Sequence, residues 1–172
     1  MAIRPGRCYS KFQRPYTRIS IHVPSKSYVV GVPAAKITQF EMGTKKKSFE
    51  KVFRMISMHP VQIRDNALEA ARQGANKHLE KTLTLENYFL KVLVYPYQVL
   101  RENSLATGAG ADRFQEGMRK SFGKPIGTAA RVFKNQAIME LRVAKGSEKE
   151  AKRALEIASK KVSGQCRTIE VR

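Results

Sequence analysis

The sequence predicts an α+β fold, in which two long helices lie against an irregular, largely antiparallel sheet. Three observations indicate it. Two segments repeat small apolar residues with helical spacing, short segments rich in β-branched and aromatic residues surround them, and glycine, proline or asparagine separates those short segments. The chain has no internal repeat and 172 residues suit one core, so residues 1–172 are predicted to form a single domain.

Residues 1–20 are predicted to form an extended basic arm. The segment "RPGRCYSKFQRPYTR" mixes cations, prolines and rings with a period of neither 2 nor 3.6. Proline disfavours helix, arginine binds phosphate oxygens and aromatic rings stack on unpaired bases. A disordered basic tail with core-anchoring rings is the alternative. The candidate phosphate contacts in the arm are Arg4, Arg7, Arg14 and Arg18.

The segments that follow the arm are strand candidates. "SYVVGVP", "KITQFEMG" and "FEKVFRMISM" are rich in strand-forming residues and are bracketed by glycine, proline and a run of three lysines. On charge alone, we expect these three lysines to contact phosphate: Lys45, Lys46 and Lys47.

The first helix is predicted within "DNALEAARQGANKHLEKTL", because its small apolar residues form one stripe. The members of the stripe are Ala67, Leu68, Ala71, Ala75 and Leu79. The next segment, "NYFLKVLVYPYQVLR", predicts two strands that are separated by a kink or edge position at Pro96.

The C-terminal third predicts a strand pair, a helix and a closing strand. In "ARVFKNQAIMELRVA" a turn at Asn135 would connect the paired strands. The helix "SEKEAKRALEIASKKV" opens with Ser147 and Glu150 at capping-box spacing. Its predicted buried residues are Ala151, Ala154, Leu155, Ala158 and Val162. The alternating "CRTIEVR" predicts the last strand.

The charge favours a polyanionic partner. Lysine and arginine number 33 against 14 acids, a net charge of +19, and residues 1–60 alone carry 12 cations and 2 acids. Such a charge destabilises a compact chain by self-repulsion unless a polyanion neutralises it. Nucleic acid is therefore favoured over an anionic membrane surface. The chain has no apolar run of membrane-spanning length and no secretory signal, which predicts a cytoplasmic protein.

The motifs of enzymes are incomplete. "GAGADR" has Arg113 where a dinucleotide-binding loop has its third glycine, and "FGKPIGT" has Pro125 where a nucleotide-binding loop has serine or threonine. Neither the histidines nor the cysteines have metal-ligand spacing, and no nucleophile is matched to a base. We therefore expect no catalytic activity, metal, cofactor or small-molecule substrate.

A glycine-bearing segment at 102–112 is predicted to form an internal loop. Its small side chains leave the backbone free to pass between RNA strands, whereas an ordinary mobile surface loop is the alternative. "DRFQEGMRKSF" could form a short helix directly after it. The cations on this flank are candidate RNA contacts: Arg113, Arg119, Lys120, Lys124 and Arg131.

Several spaced blocks carry a family resemblance: "RPGRCY", "GVPAAKI", "ALEAARQGANK", "PYQVLREN" and "GAGADRFQEGMRKSFGKPIGTAARV". They resemble, in order, the universal large-ribosomal-subunit protein family called L-sixteen in bacteria and L-ten-e in archaea, and the chain is most similar to the archaeal type. The resemblance implies a hammerhead-like α+β fold and a place on large-subunit rRNA among neighbouring ribosomal proteins.

The resemblance also implies a position beside tRNA near the peptidyl-transferase centre. The residues of the implied tRNA-proximal loop are Asn103, Ser104, Thr107, Gly108 and Gly110. Two rival hypotheses stay open. An assembly factor would use the same basic surface but leave mature particles, and an RNA-directed enzyme would need a metal or acid/base site.

Overall fold

The computed structural model describes residues 4–17, 22–23, 29–45, 48–103, 118–119 and 121–171. The described residues form an α+β fold with two α-helices, α1 (Asp65–Thr82) and α2 (Glu148–Ser159). The strands are β1 (Glu41–Gly43), β2 (Lys51–Ser57), β3 (Val61–Arg64), β4 (Tyr88–Val92), β5 (Gln98–Glu102), β6 (Lys124–Val132), β7 (Ala137–Val143) and β8 (Cys166–Val171).

The strands form two sheets, which corrects the prediction of one sheet. A five-stranded sheet has the order β1-β4-β7-β2-β8, and a three-stranded sheet has the order β3-β6-β5. Every pairing between the described strands is antiparallel, as predicted. The kink predicted at Pro96 lies between β4 and β5 and separates the two sheets.

The predicted pairing of β6 with β7 is wrong. A turn does lie between them: Asn135 has a φ of 63°, and the backbone N–H of Gln136 donates to the carbonyl of Phe133 over 3.1 Å. However, β6 pairs with β3 and β5, whereas β7 pairs with β2 and β4. The turn therefore takes the chain from one sheet to the other instead of closing a hairpin.

Both predicted helices are confirmed. The helices α1 and α2 contact each other through faces rich in alanine, and a Cβ on Gly74 would lie 3.3 Å from Cγ2 of Ile157. All the residues predicted to be buried in these two segments are buried, except Ala67, which is partly buried and packs against the core. Small side chains let the helix axes approach closely, which explains why the stripes are alanine-rich.

The predicted capping box is wrong. Ser147 occupies the N-cap of α2, but its side chain makes no capping hydrogen bond. The carboxylate of Glu150 instead lies 2.9 Å from Nε2 of His78, on α1. Glu150 therefore contacts the other helix and does not cap the N-terminus of its own helix.

The N-terminal strand candidates are confirmed only in part. The third contains β2, and the second contributes only β1. In the first, the described residues 29–33 form a turn at Gly31, which has a φ of 75°, while Ser27 and Tyr28 lie outside the described residues. The strand β3 was not predicted, because its four residues lead directly into α1.

The core lies where the helices meet the sheets. The helix α2 contacts β2, β7 and β8, and α1 contacts β3, β4 and β6, so α1 bridges both sheets. Phe53, Met55, Tyr88 and Leu141 are fully buried in this core. None of the described helices combines the length and apolar character that a membrane span requires.

Candidate nucleic-acid interface

The N-terminal arm lies against the three-stranded sheet. The backbone N–H of Gln62 donates to the carbonyl of Ser10 over 2.8 Å, and the Nε2 of the same glutamine donates to the carbonyl of Tyr9 over 3.0 Å. Arg64 donates through a terminal guanidinium nitrogen to the carbonyl of Arg4 over 2.9 Å. We call residues 4–17 and the strands β3, β5 and β6 the arm sheet.

The second half of the arm is bound in the same way. A terminal nitrogen of Arg131, on β6, donates to the carbonyls of Gln13 and Arg14 over 2.7 and 3.2 Å. The hydroxyl of Thr17 donates to the carbonyl of Tyr97 over 3.2 Å and accepts from the N–H of Val99 over 3.1 Å. Because these partners are strand or strand-end residues, the arm has a defined path.

Arginine and aromatic side chains alternate across the arm sheet. Each aromatic ring of the arm has a guanidinium carbon within 5.6 Å of its centroid, a distance at which the cation is attracted to the ring face. Arg14, from the arm itself, lies over Phe122. The pairs and their distances are Arg64–Tyr9 at 5.6 Å, Arg131–Phe12 at 5.3 Å, Arg101–Tyr16 at 5.3 Å and Arg14–Phe122 at 5.5 Å. The rings therefore hold the guanidinium groups in place.

Glu102 connects the arm to the base of the internal loop. Its carboxylate accepts a hydrogen bond from the hydroxyl of Tyr9 over 2.6 Å and pairs with Nε of Arg4 over 2.7 Å. Burial, reinforced by the hydrogen bond to Glu102, raises the pKa of Tyr9 to about 12. Gly123, directly before β6, packs against the same residue, because a Cβ on Gly123 would lie 2.3 Å from the carbonyl carbon of Glu102. Glu102 is thus held from two directions, by the arm and by the start of β6.

The charge of the arm sheet is largely uncompensated. Within the arm sheet and the described residues that flank β6 (118–119, 121–123 and 133–135), the sequence has ten cations and one acid, Glu102. These ten residues are Arg4, Arg7, Lys11, Arg14, Arg64, Arg101, Arg119, Lys124, Arg131 and Lys134. Such an excess of positive charge on one face is the usual electrostatic footprint of a nucleic-acid-binding surface.

The five-stranded sheet differs, because its acids lie opposite its cations. Glu140 is only 3% exposed and pairs with Arg54 and Arg142, each over 2.7 Å. Burial acts to raise the pKa of Glu140, but the hydrogen bonds from both arginines outweigh it and hold the pKa below its usual value. Glu41 pairs with Lys91 over 2.9 Å.

The structure brings together five of the predicted phosphate contacts: Arg4, Arg7, Arg14, Lys124 and Arg131 lie on the arm sheet. Arg119 is exposed in a turn before β6. Lys45 lies elsewhere, beside β1, where it pairs with Glu41. Asn103 is half-buried at the end of β5. The remaining predicted residues lie outside the described part of the chain: Arg18, Lys46, Lys47, Arg113, Lys120, Ser104, Thr107, Gly108 and Gly110.

Sequence reasoning missed two residues of this surface, Arg64 and Arg101. Each is a single cation at or near the end of a short strand, and neither stands in a basic run. No local signal identifies them, because the rings that they cover, Tyr9 and Tyr16, are distant from them in sequence. In the part of the chain that the structure describes, no cluster of three metal-ligating side chains is present.

The arm sheet has an excess of cations, and several of its arginines are held by rings and backbone carbonyls. These features are typical of small basic proteins that bind nucleic acids. Comparison with known proteins identifies the family within that class. Residues 14–169 match the family described as ribosomal protein L16p/L10e. The chain is 49% identical over 163 residues to the large ribosomal subunit protein uL16 of Staphylothermus marinus. The aligned region covers 94% of this chain and 90% of that protein.

Two further relatives have the same printed name. The protein from Sulfolobus acidocaldarius is 50% identical over 165 residues, covering 94% of this chain and 90% of that protein. The protein from Thermoplasma acidophilum is 44% identical over 170 residues, and the aligned region covers 98% of this chain and 93% of that protein. The chain therefore belongs to the ribosomal protein L16p/L10e family, whose members are structural components of the ribosome and not enzymes. The resemblance found in the sequence is confirmed.

Proposed function

We propose that this chain is a structural component of the large ribosomal subunit and binds large-subunit rRNA through the arm sheet. The observation that carries the proposal is the contrast in charge between the two sheets. Eight cations and one acid lie on the arm sheet, whereas the strands of the five-stranded sheet carry five cations and three acids. Only the arm sheet has cations in large excess for a polyanion to neutralise.

Binding of RNA phosphates by this surface follows from the way its arginines are held. A guanidinium that already rests on a ring loses less side-chain freedom on binding, and it still presents several N–H donors to phosphate oxygens. Such contacts give affinity and fix orientation but do not read sequence. The shape of the folded rRNA then determines where the protein binds. By neutralising clustered phosphates, the protein lets rRNA helices approach one another.

The internal loop is the second part of the proposal. Residues 102–112 are proposed to approach the aminoacyl-tRNA near the peptidyl-transferase centre, where RNA performs the chemistry. Support comes from the base of the loop, because Glu102 is held by Arg4 and Tyr9 and lies against Gly123. Glu102, the first residue of the proposed loop, therefore has a fixed position. Neighbouring ribosomal proteins complete the proposed set of partners.

Charge reversal tests the rRNA interface. Arg14→Glu with Lys124→Glu should abolish incorporation into large subunits, because the substitutions place acids among the phosphates. Lys77→Glu with Lys149→Glu makes the same change of charge at exposed positions on α1 and beside Glu150 on α2, and it should leave incorporation intact. Tagged variants are followed by sedimentation on sucrose gradients after their folding has been checked by circular dichroism. Equal incorporation of the two variants would refute the proposed interface.

A further inference from the structure

Outside the arm sheet, the segment between β4 and β5 exposes a row of large apolar side chains. Exposure alternates along residues 93–97: Val94 and Pro96 are buried, whereas Leu93, Tyr95 and Tyr97 are 40%, 61% and 49% exposed. Tyr95 and Tyr97 therefore lie on either side of Pro96, and both side chains are exposed to solvent.

The backbone of this segment is fixed at several points. Leu93 donates its N–H to the carbonyl of Ile138 over 2.9 Å, and Tyr97 donates to the carbonyl of Tyr95 over 3.0 Å across the rigid Pro96. The carbonyl of Tyr97 accepts from the hydroxyl of the arm residue Thr17. Because the backbone that carries the two tyrosines is already fixed, little conformational entropy is lost when a ligand binds to their rings.

The rings of Tyr95 and Tyr97 differ from the rings of the arm sheet. No cation–π contact in the part of the chain that the structure describes involves either tyrosine. One side of the Tyr95 ring is supported by Phe40, with centroids 5.6 Å apart and an interplanar angle of 30°. The ring faces are therefore free of the guanidinium groups that cover Tyr9 and Tyr16.

The surroundings favour a nucleobase over a protein partner. A stable protein interface buries roughly 800 Å² on each side, which three partly exposed side chains do not supply. The tyrosines border the basic arm through Thr17, and this arm attracts polyanions. Single-stranded nucleic acids bind where aromatic rings lie beside a cationic path, because every base has a face that stacks.

We infer that Tyr95 and Tyr97 form a stacking site for unpaired RNA bases, next to the phosphate-binding arm sheet. The inference rests on the proposed function, since the arm sheet brings the RNA backbone to the site. It adds a second mode of recognition: the arm sheet binds phosphates, and the tyrosine pair binds bases that have left a helix.

Two oligonucleotides separate these two modes. The first is a single-stranded RNA of ten uridines, and the second is an abasic strand with the same number of phosphates. The full-length chain is titrated with each in fluorescence anisotropy. Tyr95→Ala with Tyr97→Ala should weaken binding of the uridine strand by at least about tenfold, the effect usual for removing a stacking ring, and should leave binding of the abasic strand unchanged.

Two control variants make the test specific. Tyr95→Phe with Tyr97→Phe keeps both rings and should retain the affinity of the original chain for the uridine strand, which excludes a role that depends on the hydroxyls. Leu85→Ala removes another exposed apolar side chain, 58% exposed, and should change neither affinity. The thermal unfolding of every variant shows whether it is folded.

The outcomes distinguish this inference from the proposed function. If the alanine pair leaves the affinity for the uridine strand unchanged, or weakens binding of both strands equally, the stacking site is refuted while RNA binding by the arm sheet stands. If the original chain binds neither strand, nor folded large-subunit rRNA, the proposed function fails, and the stacking site fails with it.

Discussion

The two sheets use the same charged residue types in opposite ways. On the five-stranded sheet, Glu41, Lys91, Glu140 and Arg54 lie directly opposite one another on successive strands, so that their charges alternate across the sheet. Oppositely charged residues in such positions stabilise a pair of strands. On the arm sheet, four arginines face rings instead, namely Arg14, Arg64, Arg101 and Arg131, and the single acid, Glu102, pairs with Arg4. On the proposed assignment of the arm sheet as the RNA interface, missing acids mark that interface better than the number of cations does.

The salt dependence of RNA binding is expected to show the largest effect. If the arm sheet contacts six to ten phosphates, affinity should fall about a thousandfold or more between about 50 and 200 mM salt. Lys124→Ala should lower the slope of log affinity against log salt by about one, because one phosphate contact is lost. Lys91→Ala should leave it unchanged, because Lys91 already pairs with Glu41. Filter binding to large-subunit rRNA measures both slopes, and equal changes would erase the distinction between the sheets.

A smaller effect is expected when the charge pairs of the five-stranded sheet are broken. Glu140→Gln removes the buried acid of Arg54 and Arg142, which are themselves partly exposed, and should lower the free energy of unfolding by about 2 kcal/mol. Because the pKa of Glu140 is lowered in the folded chain, its contribution is present at neutral pH and is lost as pH falls through that pKa.

Urea denaturation at pH 7 measures the loss, with Glu86→Gln as a control at an exposed acid. The affinity of Glu140→Gln for rRNA should stay the same under conditions in which the variant is folded. A variant that kept its stability but lost RNA binding would show that the five-stranded sheet also contributes to the interface.

The smallest effect is expected at Tyr9. Its pKa of about 12 lies above the usual value of 10.0, so the unfolded chain loses this proton first as pH rises. The stability that Tyr9 contributes is therefore complete below pH 10 and decreases between about pH 10 and 12. Tyr9→Phe should cost about 1 kcal/mol near neutral pH and should flatten this decline.

Thermal unfolding of Tyr9→Phe and of the original chain is measured across that alkaline range. The difference in stability between the two chains isolates the contribution of Tyr9, because the other titrating groups are common to both. A difference that does not change with pH would mean that the Tyr9–Glu102 hydrogen bond does not tie the arm to the sheet in solution.

The sequence predicted the secondary structure better than its assembly. Periodic alanine and leucine positions specify one face of α1 and of α2, and this information is local. The strands β6 and β7 are also predicted, but the prediction that they pair with each other is wrong, because alternation identifies the faces of a strand and not its neighbours. A turn at Asn135 is compatible with a hairpin and with a passage between sheets, and only the packing of the whole chain distinguishes them.

The candidate interface could be predicted only where its residues are neighbours in sequence. The run of cations in the arm was visible, and so was the cluster around Lys124 and Arg131. The sequence favours base stacking for the rings of the arm, whereas the structure places arginines over Tyr9 and Tyr16. Those partners, Arg64 and Arg101, are distant in sequence, so no local pattern links them to the rings.

Lysine footprinting tests the difference between the sheets most directly. The chain is acetylated briefly, both free and bound to deproteinised large-subunit rRNA, and the modification of each lysine is measured by mass spectrometry. RNA should protect Lys11 and Lys124 on the arm sheet and Lys134 in the turn after β6, and should leave Lys51 and Lys91 on the five-stranded sheet unchanged. Equal protection of both groups, or protection of the five-stranded sheet alone, would contradict the assignment of the arm sheet as the RNA interface.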